Sequence, residues 1–308
     1  MKMKKLFTLL ISVFLISSCC AAVLAADFSA DGRLRLKYVD ENNSAEDSYD
    51  ALANIYAKIN EEVTLTGVLR AKTGSNDYIY EVYGTYAKPF GNINLGYFLY
   101  STCGDLAILT QVIDDLQTDC GVSWATPAKE GWIAKVYYGF GDEDKNDGTY
   151  ALTFGYSQDT WGADINLVES RLRDIYKDSK DKDYPEISGD YAKPGIALNA
   201  FYVPVKPLRL YLNCETRDEY HRGQSFQYKD AILGATYSPV AKLTLIGEYN
   251  FEQNGQDCNN WGLRVNYKIT PETTLSLIRY QEVIYDYDDK ENRFKDSNCT
   301  EFRVQINF

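Results

Sequence analysis

The chain holds a single histidine, His221, among its 308 residues. A Ser-His-Asp or Asp-His hydrolase would have to be built around that one ring, and no G-x-S-x-G motif accompanies it. Glycine-rich phosphate loops and zinc-type cysteine or histidine spacings are missing too. No enzymatic activity, cofactor or metal site is therefore expected, and His221 beside Arg222 reads as a polar outer-loop residue. Positive charge is also scarce, with 32 Lys and Arg against 44 Asp and Glu and a net charge of −12. That balance argues against a nucleic-acid partner, whose phosphates need cations. After residue 26 no apolar run approaches the roughly 18 to 20 residues of a membrane-spanning helix. If the chain enters a membrane, it does so as a barrel of strands.

What is present begins with residues 1–26, where Lys2, Lys4 and Lys5 precede an apolar run from Leu6 to Ile16 and small residues follow up to Ala26. This is the layout of a cleaved secretory signal peptide. The stretch Ile16-Ser17-Ser18-Cys19 also fits a lipoprotein cleavage site. Removal of the signal takes away three lysines and no acid, which makes residues 27–308 more acidic still.

The chain is rich in aromatics, with 26 Tyr and 13 Phe, yet its mean hydropathy is negative. That combination suits a barrel with aromatic girdles outside and a wet interior. The final residues, FRVQINF, alternate Phe302, Val304, Ile306 and Phe308 with Arg303, Gln305 and Asn307, the period-two pattern of a strand with one oily and one wet face. Similar alternation starts at RLRLKY (33–38), and the polar stretch DENNSAEDS after it reads as a loop. Short turns such as Lys88-Pro89-Phe90-Gly91 and Thr270-Pro271-Glu272 then alternate with long polar connections. The pattern predicts an all-β, transmembrane antiparallel up-and-down barrel of about 14 strands (range about 12 to 16), with short periplasmic turns and long outer loops. Residues 158–195 are expected to form one long outer loop, the alternative being a strand over 163–172 with a partner near Tyr191. The last strand should pair with the first, because only closure removes unpaired edges.

The terminal FRVQINF, the leader and the position of one long loop together resemble the general porins of bacterial outer membranes. The resemblance implies residence in the outer membrane among its lipids, and Phe308 as the assembly signal read by the barrel-assembly machinery. It also implies small hydrophilic solutes as the cargo, and a homotrimer, although the porin trimers usually have 16 strands. It further implies that the loop over about 101–130 folds into the lumen as a constriction. Within that loop Leu106, Leu109, Val112, Ile113 and Leu116 have the spacing of a short amphipathic helix, which would turn Asp114, Asp115 and Asp119 toward the passage. The alternation places Arg33, Arg35, Lys37, Arg70, Lys72, Arg264 and Arg303 on the inner wall. Cations facing those carboxylates would set a transverse field across the passage.

The acidic outer stretches suggest a preference for cations. Cys103 and Cys120 bracket the loop and are the candidate disulfide, with Cys258 and Cys299 a weaker second pair. DEDKNDG (142–148) reads as a hydrophilic turn rather than an EF-hand calcium loop, and DYDDKEN (286–292) as a solvated loop, the alternative being a collector of divalent cations at the cell surface. The rival function is a plugged barrel serving as a surface-binding or anchoring protein, which would need large interlocking side chains inside.

Overall fold

The computed structural model describes residues 27–41, 44–73, 79–100, 109, 116–117, 120–127, 131–140, 149–169, 195–221, 224–253, 260–285 and 294–308. Strands β1 (Asp27–Glu41), β2 (Ser44–Lys58), β3 (Val63–Lys72), β4 (Ile79–Lys88) and β5 (Gly91–Tyr97) come first. Two short strands, β6 (Leu99–Tyr100) and β7 (Leu116–Gln117), pair only with each other. Then follow β8 (Cys120–Ala125), β9 (Gly131–Phe140), β10 (Thr149–Ser157), β11 (Trp161–Glu169) and β12 (Gly195–Val205). The chain finishes with β13 (Leu208–His221), β14 (Gln224–Val240), β15 (Leu243–Gln253), β16 (Asn260–Lys268), β17 (Thr273–Tyr285) and β18 (Phe294–Asn307).

Sixteen of these strands form one closed barrel in which every neighbouring pair is antiparallel, β5 pairing with β8 across the β6–β7 insertion. Closure joins β1 to β18 in a register that runs from Arg33 opposite Asn307 to Glu41 opposite Cys299. Past its end, the Gly32 N–H donates to the Phe308 carbonyl at 2.9 Å and the Phe308 N–H donates back to Gly32 at 3.0 Å. The alternating terminal segment is thus the closing strand, as its period requires.

One end of the barrel is made of tight turns fixed by side chains. Asn60 Oδ1 accepts the N–H groups of Glu62 and Val63 at 2.8 and 2.9 Å, and Thr270 Oγ1 accepts those of Glu272 and Thr273. Both are local caps of the kind that Asn and Thr offer a reversing backbone. The connections at the other end run from the two residues 42–43 and 222–223 to the long stretch 170–194.

The pattern of burial is inside out. Leu36, Ile55, Leu95, Ile165, Leu198, Leu263 and Leu277 are exposed on the outer surface, while Thr66, Thr153, Asn166, Asn199, Asn213 and Glu248 are buried facing inward. Such an exterior satisfies hydrocarbon rather than water. Aromatic rings gather on it near the tight-turn end: Trp132 stacks on Phe154 at 5.3 Å and meets Tyr156 edge-on, and Tyr156 meets Trp161 at 5.5 Å.

The count of 16 exceeds the expected 14 by two strands, β8 and β11. β11 lies in the stretch expected to be a single outer loop. It alternates outward Ile165 and Leu167 with inward Asn166 and Val168, and pairs with both β10 and β12. β8 has only six residues, with Gly121 and Ser123 buried inside. DENNSAEDS is likewise largely strand, because β1 and β2 continue on either side of residues 42–43 with Glu41 opposite Ser44. His221 ends β13 opposite Gln224 instead of sitting in a loop.

Candidate functional site

The connection from β5 to β8 does not stay at the rim. Its root is held by Phe98, which is 4% exposed and lies between Tyr83 at 5.5 Å and Tyr137 at 5.7 Å. Phe98, Tyr137, Ala151, Val168 and Ala197 form an apolar cluster on the inner wall beneath it. Farther along, the backbone N–H of Leu109 donates to Glu248 Oε2 at 2.7 Å. Glu248 belongs to β15, which stands eight strands from β5 around a ring of sixteen. Leu109 is therefore held at the wall opposite β5.

The receiving wall is built for that contact. Tyr211 on β13, Gly234 on β14 and Glu248 on β15 stand side by side in register. A Cβ at Gly234 would collide with the Tyr211 ring, so glycine is the residue that lets the ring lie flat across β14. The Tyr211 hydroxyl then donates to Glu248 Oε1 at 2.7 Å, leaving Oε2 for Leu109. Arg209, on β13 as well, lies over the Phe201 ring at 3.6 Å.

The charges of the inner wall are divided into sectors. One sector runs from β16 through β18 and β1 to β3 and is basic. Arg70 grips Asp50 with two nitrogens at 3.0 and 3.2 Å, and Arg33 reaches the same carboxylate at 3.9 Å. Asp50 is 5% exposed and is tolerable there because two guanidiniums face it. Arg35 donates to Gln305 at 2.7 Å, Lys37 stands opposite Arg303 in register, and Arg303 pairs with Glu301 at 2.5 Å. Lys72 stands opposite Asp50, and Arg264 donates to Asn266 at 2.8 Å.

The other sector, from β10 to β15, is built of amides and carboxylates. Thr153 donates to Asn166, Asn166 and Asn199 both donate to Asp164, and Asn213 donates to Asn199 at 2.8 Å. Asn250 donates to Asp230 at 2.9 Å, and Glu215 and Glu248 are buried alongside. None of these acids is among the wall charges expected above. Asp164 and Glu248 stand beside outward Ile165 and Tyr249, and that alternation is the signal by which they are found, whereas Glu215, between Cys214 and Thr216, and Asp230, between Lys229 and Ala231, carry no such signal.

Arg33, Arg35, Lys37, Arg70, Lys72, Arg264 and Arg303 stand on β1, β3, β16 and β18, within one continuous run of neighbouring strands. Asp114, Asp115 and Asp119 lie outside the described residues, as do Leu106, Val112 and Ile113 of the expected helix, Cys103, Cys258 and both acidic stretches, 142–148 and 286–292. Two expectations for the loop need correction. Leu116 belongs to β7, paired with β6, and is not part of a helix. The connection also ends at Cys120 rather than near residue 130, since β8 begins there and hydrogen-bonds to β5. Of the described cysteines, Cys120 opens β8 and Cys299 is a buried thiol on β18.

No protein-family model and no curated protein matches the chain. Solved structures do, each over 92% of this chain and 100% of the other. They include a loop L8 deletion mutant of OmpT, an outer membrane protein of Vibrio cholerae, at 12% identity and TM-score 0.66. The anion-selective porin from Comamonas acidovorans aligns at 13% identity and TM-score 0.64. A multiple mutant of the Rh. blastica porin aligns at 12% identity and TM-score 0.65. With its sixteen closed antiparallel strands, and with Leu109 held at the wall opposite β5, the chain has the fold of the bacterial outer-membrane porins.

Proposed function

We propose that the barrel is an outer-membrane porin, a water-filled passive diffusion channel for small hydrophilic solutes and ions. The observation that carries this reading is the loop rooted at Phe98 and held at Glu248 on the opposite wall, over an inner wall of charges, hydroxyls and amides. A plugged barrel would need bulky interlocking residues at those inward positions. Thr66, Ser123, Thr153 and the inner asparagines favour water instead. Selection is by size and by the field between the basic sector and the acidic wall that faces it. The expected constriction residues Asp114, Asp115 and Asp119 would add their charge to that field from the loop.

The chain's negative charge favours cations through attraction at the outer mouth. The fold does not dictate the sign, since the Comamonas acidovorans porin that shares it is anion-selective. Residues 1–26 act as the cleaved leader, Phe308 as the contact for the assembly machinery, and the apolar exterior meets outer-membrane lipid. A homotrimer is the assembly we favour, since a trimer form is described for OmpT.

Purified protein in a planar bilayer tests the reading. Discrete conducting steps and a reversal potential of cationic sign in a salt gradient are expected. Absence of steps from folded protein overturns the channel, and an anionic sign overturns the preference alone.

A further inference from the structure

Between β15 and β18, close to the tight-turn end, the inner wall opens into a cavity of about 280 Å³. Among the described residues no carboxylate lines it. Lys242, Arg264 and Lys268 do, together with Asn266, Gln305 and Asn307. This is smaller than the roughly 300 to 1,000 Å³ of drug-sized sites and suits a small ion or one group of a larger solute.

The hydrogen bonds of its lining give it a direction. Asn266 Oδ1 accepts from Arg264 Nε at 2.8 Å and from Ser276 Oγ at 2.7 Å. Gln305 Oε1 accepts from Arg35 at 2.7 Å, and Asn307 Oδ1 accepts from Gln305 Nε2 at 2.9 Å. The amide oxygens are thus engaged by donors of the wall. What remains for a guest are the amide N–H₂ groups of Asn266 and Asn307, the terminal nitrogens of Arg264, and two lysine ammoniums. Neither Lys242 nor Lys268 has an ion-pair partner among the described residues. The Lys268 N–H donates to the Lys242 carbonyl at 2.9 Å, which brings the two side chains from neighbouring backbones to the same cavity.

A cavity that offers donors and cations, with its amide oxygens already engaged and hydroxyls that can turn to donate, is complementary to an acceptor-only anion. We infer that this cavity is a binding subsite for a tetrahedral oxyanion, the phosphate group of a permeating solute, at the tight-turn end of the channel. Through Gln305 and Arg35, which stands opposite Asp50, it continues the basic sector of the wall. It deepens the channel reading and rests on it, since the phosphate must arrive through a wet lumen. It is compatible with a preference for small cations, because a retained multivalent anion blocks current rather than carrying it.

Two measurements test it with full-length protein in detergent or bilayer. Inorganic phosphate added to each side in turn, at constant ionic strength in chloride, is expected to reduce single-channel current saturably. It should act at lower concentration from the tight-turn side. In the variant Lys242→Gln/Lys268→Gln the half-blocking concentration should rise by about tenfold or more, the loss expected when two charge-assisted partners go. A sugar phosphate run in parallel separates sources. Block by both identifies the phosphate group itself, and block by the sugar phosphate alone identifies a phosphorylated solute. Calorimetric titration of the folded protein with phosphate reads the same site without conduction, so a non-conducting barrel that binds phosphate sinks the channel and spares the subsite. Equal block in wild type and variant, or no heat and no block by either compound in wild type, overturns the subsite even if the channel conducts.

Discussion

The Tyr211 hydroxyl donates to Oε1 of Glu248 across a strand on which Gly234 leaves room for the ring, and the other oxygen of Glu248 holds the Leu109 backbone from the opposite side of the barrel. Glu248 is a positioning residue for the loop. Glu248→Ala removes both hydrogen bonds to a charged acceptor, about 1.5 to 3 kcal/mol each. The expected outcome is larger and noisier single-channel conductance in a barrel that still folds. Tyr211→Phe frees one oxygen only and should give an intermediate change. Wild-type conductance in Glu248→Ala would show that the tip of the loop is held elsewhere.

Gly32 meets the closing strand at its last residue. A Cβ there would fall 2.5 Å from the Leu52 carbonyl oxygen and 2.7 Å from the Phe308 ring, which is 68% exposed. Gly32→Val should therefore obstruct the β1–β18 seam and lower the yield of refolded barrel in detergent, whereas Gly67→Ala, with open space around its Cβ position, should not. Equal yields would remove the ring–glycine contact from the account of closure.

Ile165 lies midway along β11 on the outer surface. Placing a guanidinium there exposes a charge to hydrocarbon, so Ile165→Arg is expected to cost about 2 to 4 kcal/mol in lipid vesicles. Urea unfolding of vesicle-inserted protein measures it. A cost near zero would mean that this surface does not face lipid.

Asp50 neutralises part of the basic sector through Arg33 and Arg70. Asp50→Asn leaves both guanidiniums without their carboxylate, making the wall more positive. The reversal potential in a salt gradient should move toward anions relative to wild type. Movement in the other direction would contradict the sector as a determinant of selectivity.

Glu62, in the turn after β2, accepts from Lys88 Nζ at 2.5 Å, and that hydrogen bond holds the carboxyl below its ordinary range. A lowered carboxyl pKa stabilises the folded state above the unfolded value, and the benefit disappears as the pH falls through the folded one. Glu62→Gln should thus be slightly less stable than wild type at neutral pH and indistinguishable from it in strong acid. The gap should shrink in high salt, because the pair lies at the surface. Paired thermal melts at the two pH values check this.

Much of the fold is legible in the chain because a barrel wall writes its two solvents into alternate residues. Leu34, Leu36 and Tyr38 against Arg33, Arg35 and Lys37 state both faces of β1 without any tertiary knowledge. Legibility fails where that contrast is absent. At Glu41 and over 44–48 the strands carry polar residues on both faces apart from Ala45, so no alternation marks them. In β8 the inward residues are Gly121 and Ser123 and the strand is shorter than a reliable window.

The strand period, the side on which each wall charge lies and the closing role of the terminal segment are properties of the residue order alone, since they follow from local alternation and the need to pair every backbone group. It takes the assembled ring to make the strands sixteen, to bring Leu109 to Glu248 and to place Lys242, Arg264 and Lys268 around one cavity. Those facts depend on ring size and register, which bring together residues far apart in the chain through contacts that no local pattern encodes.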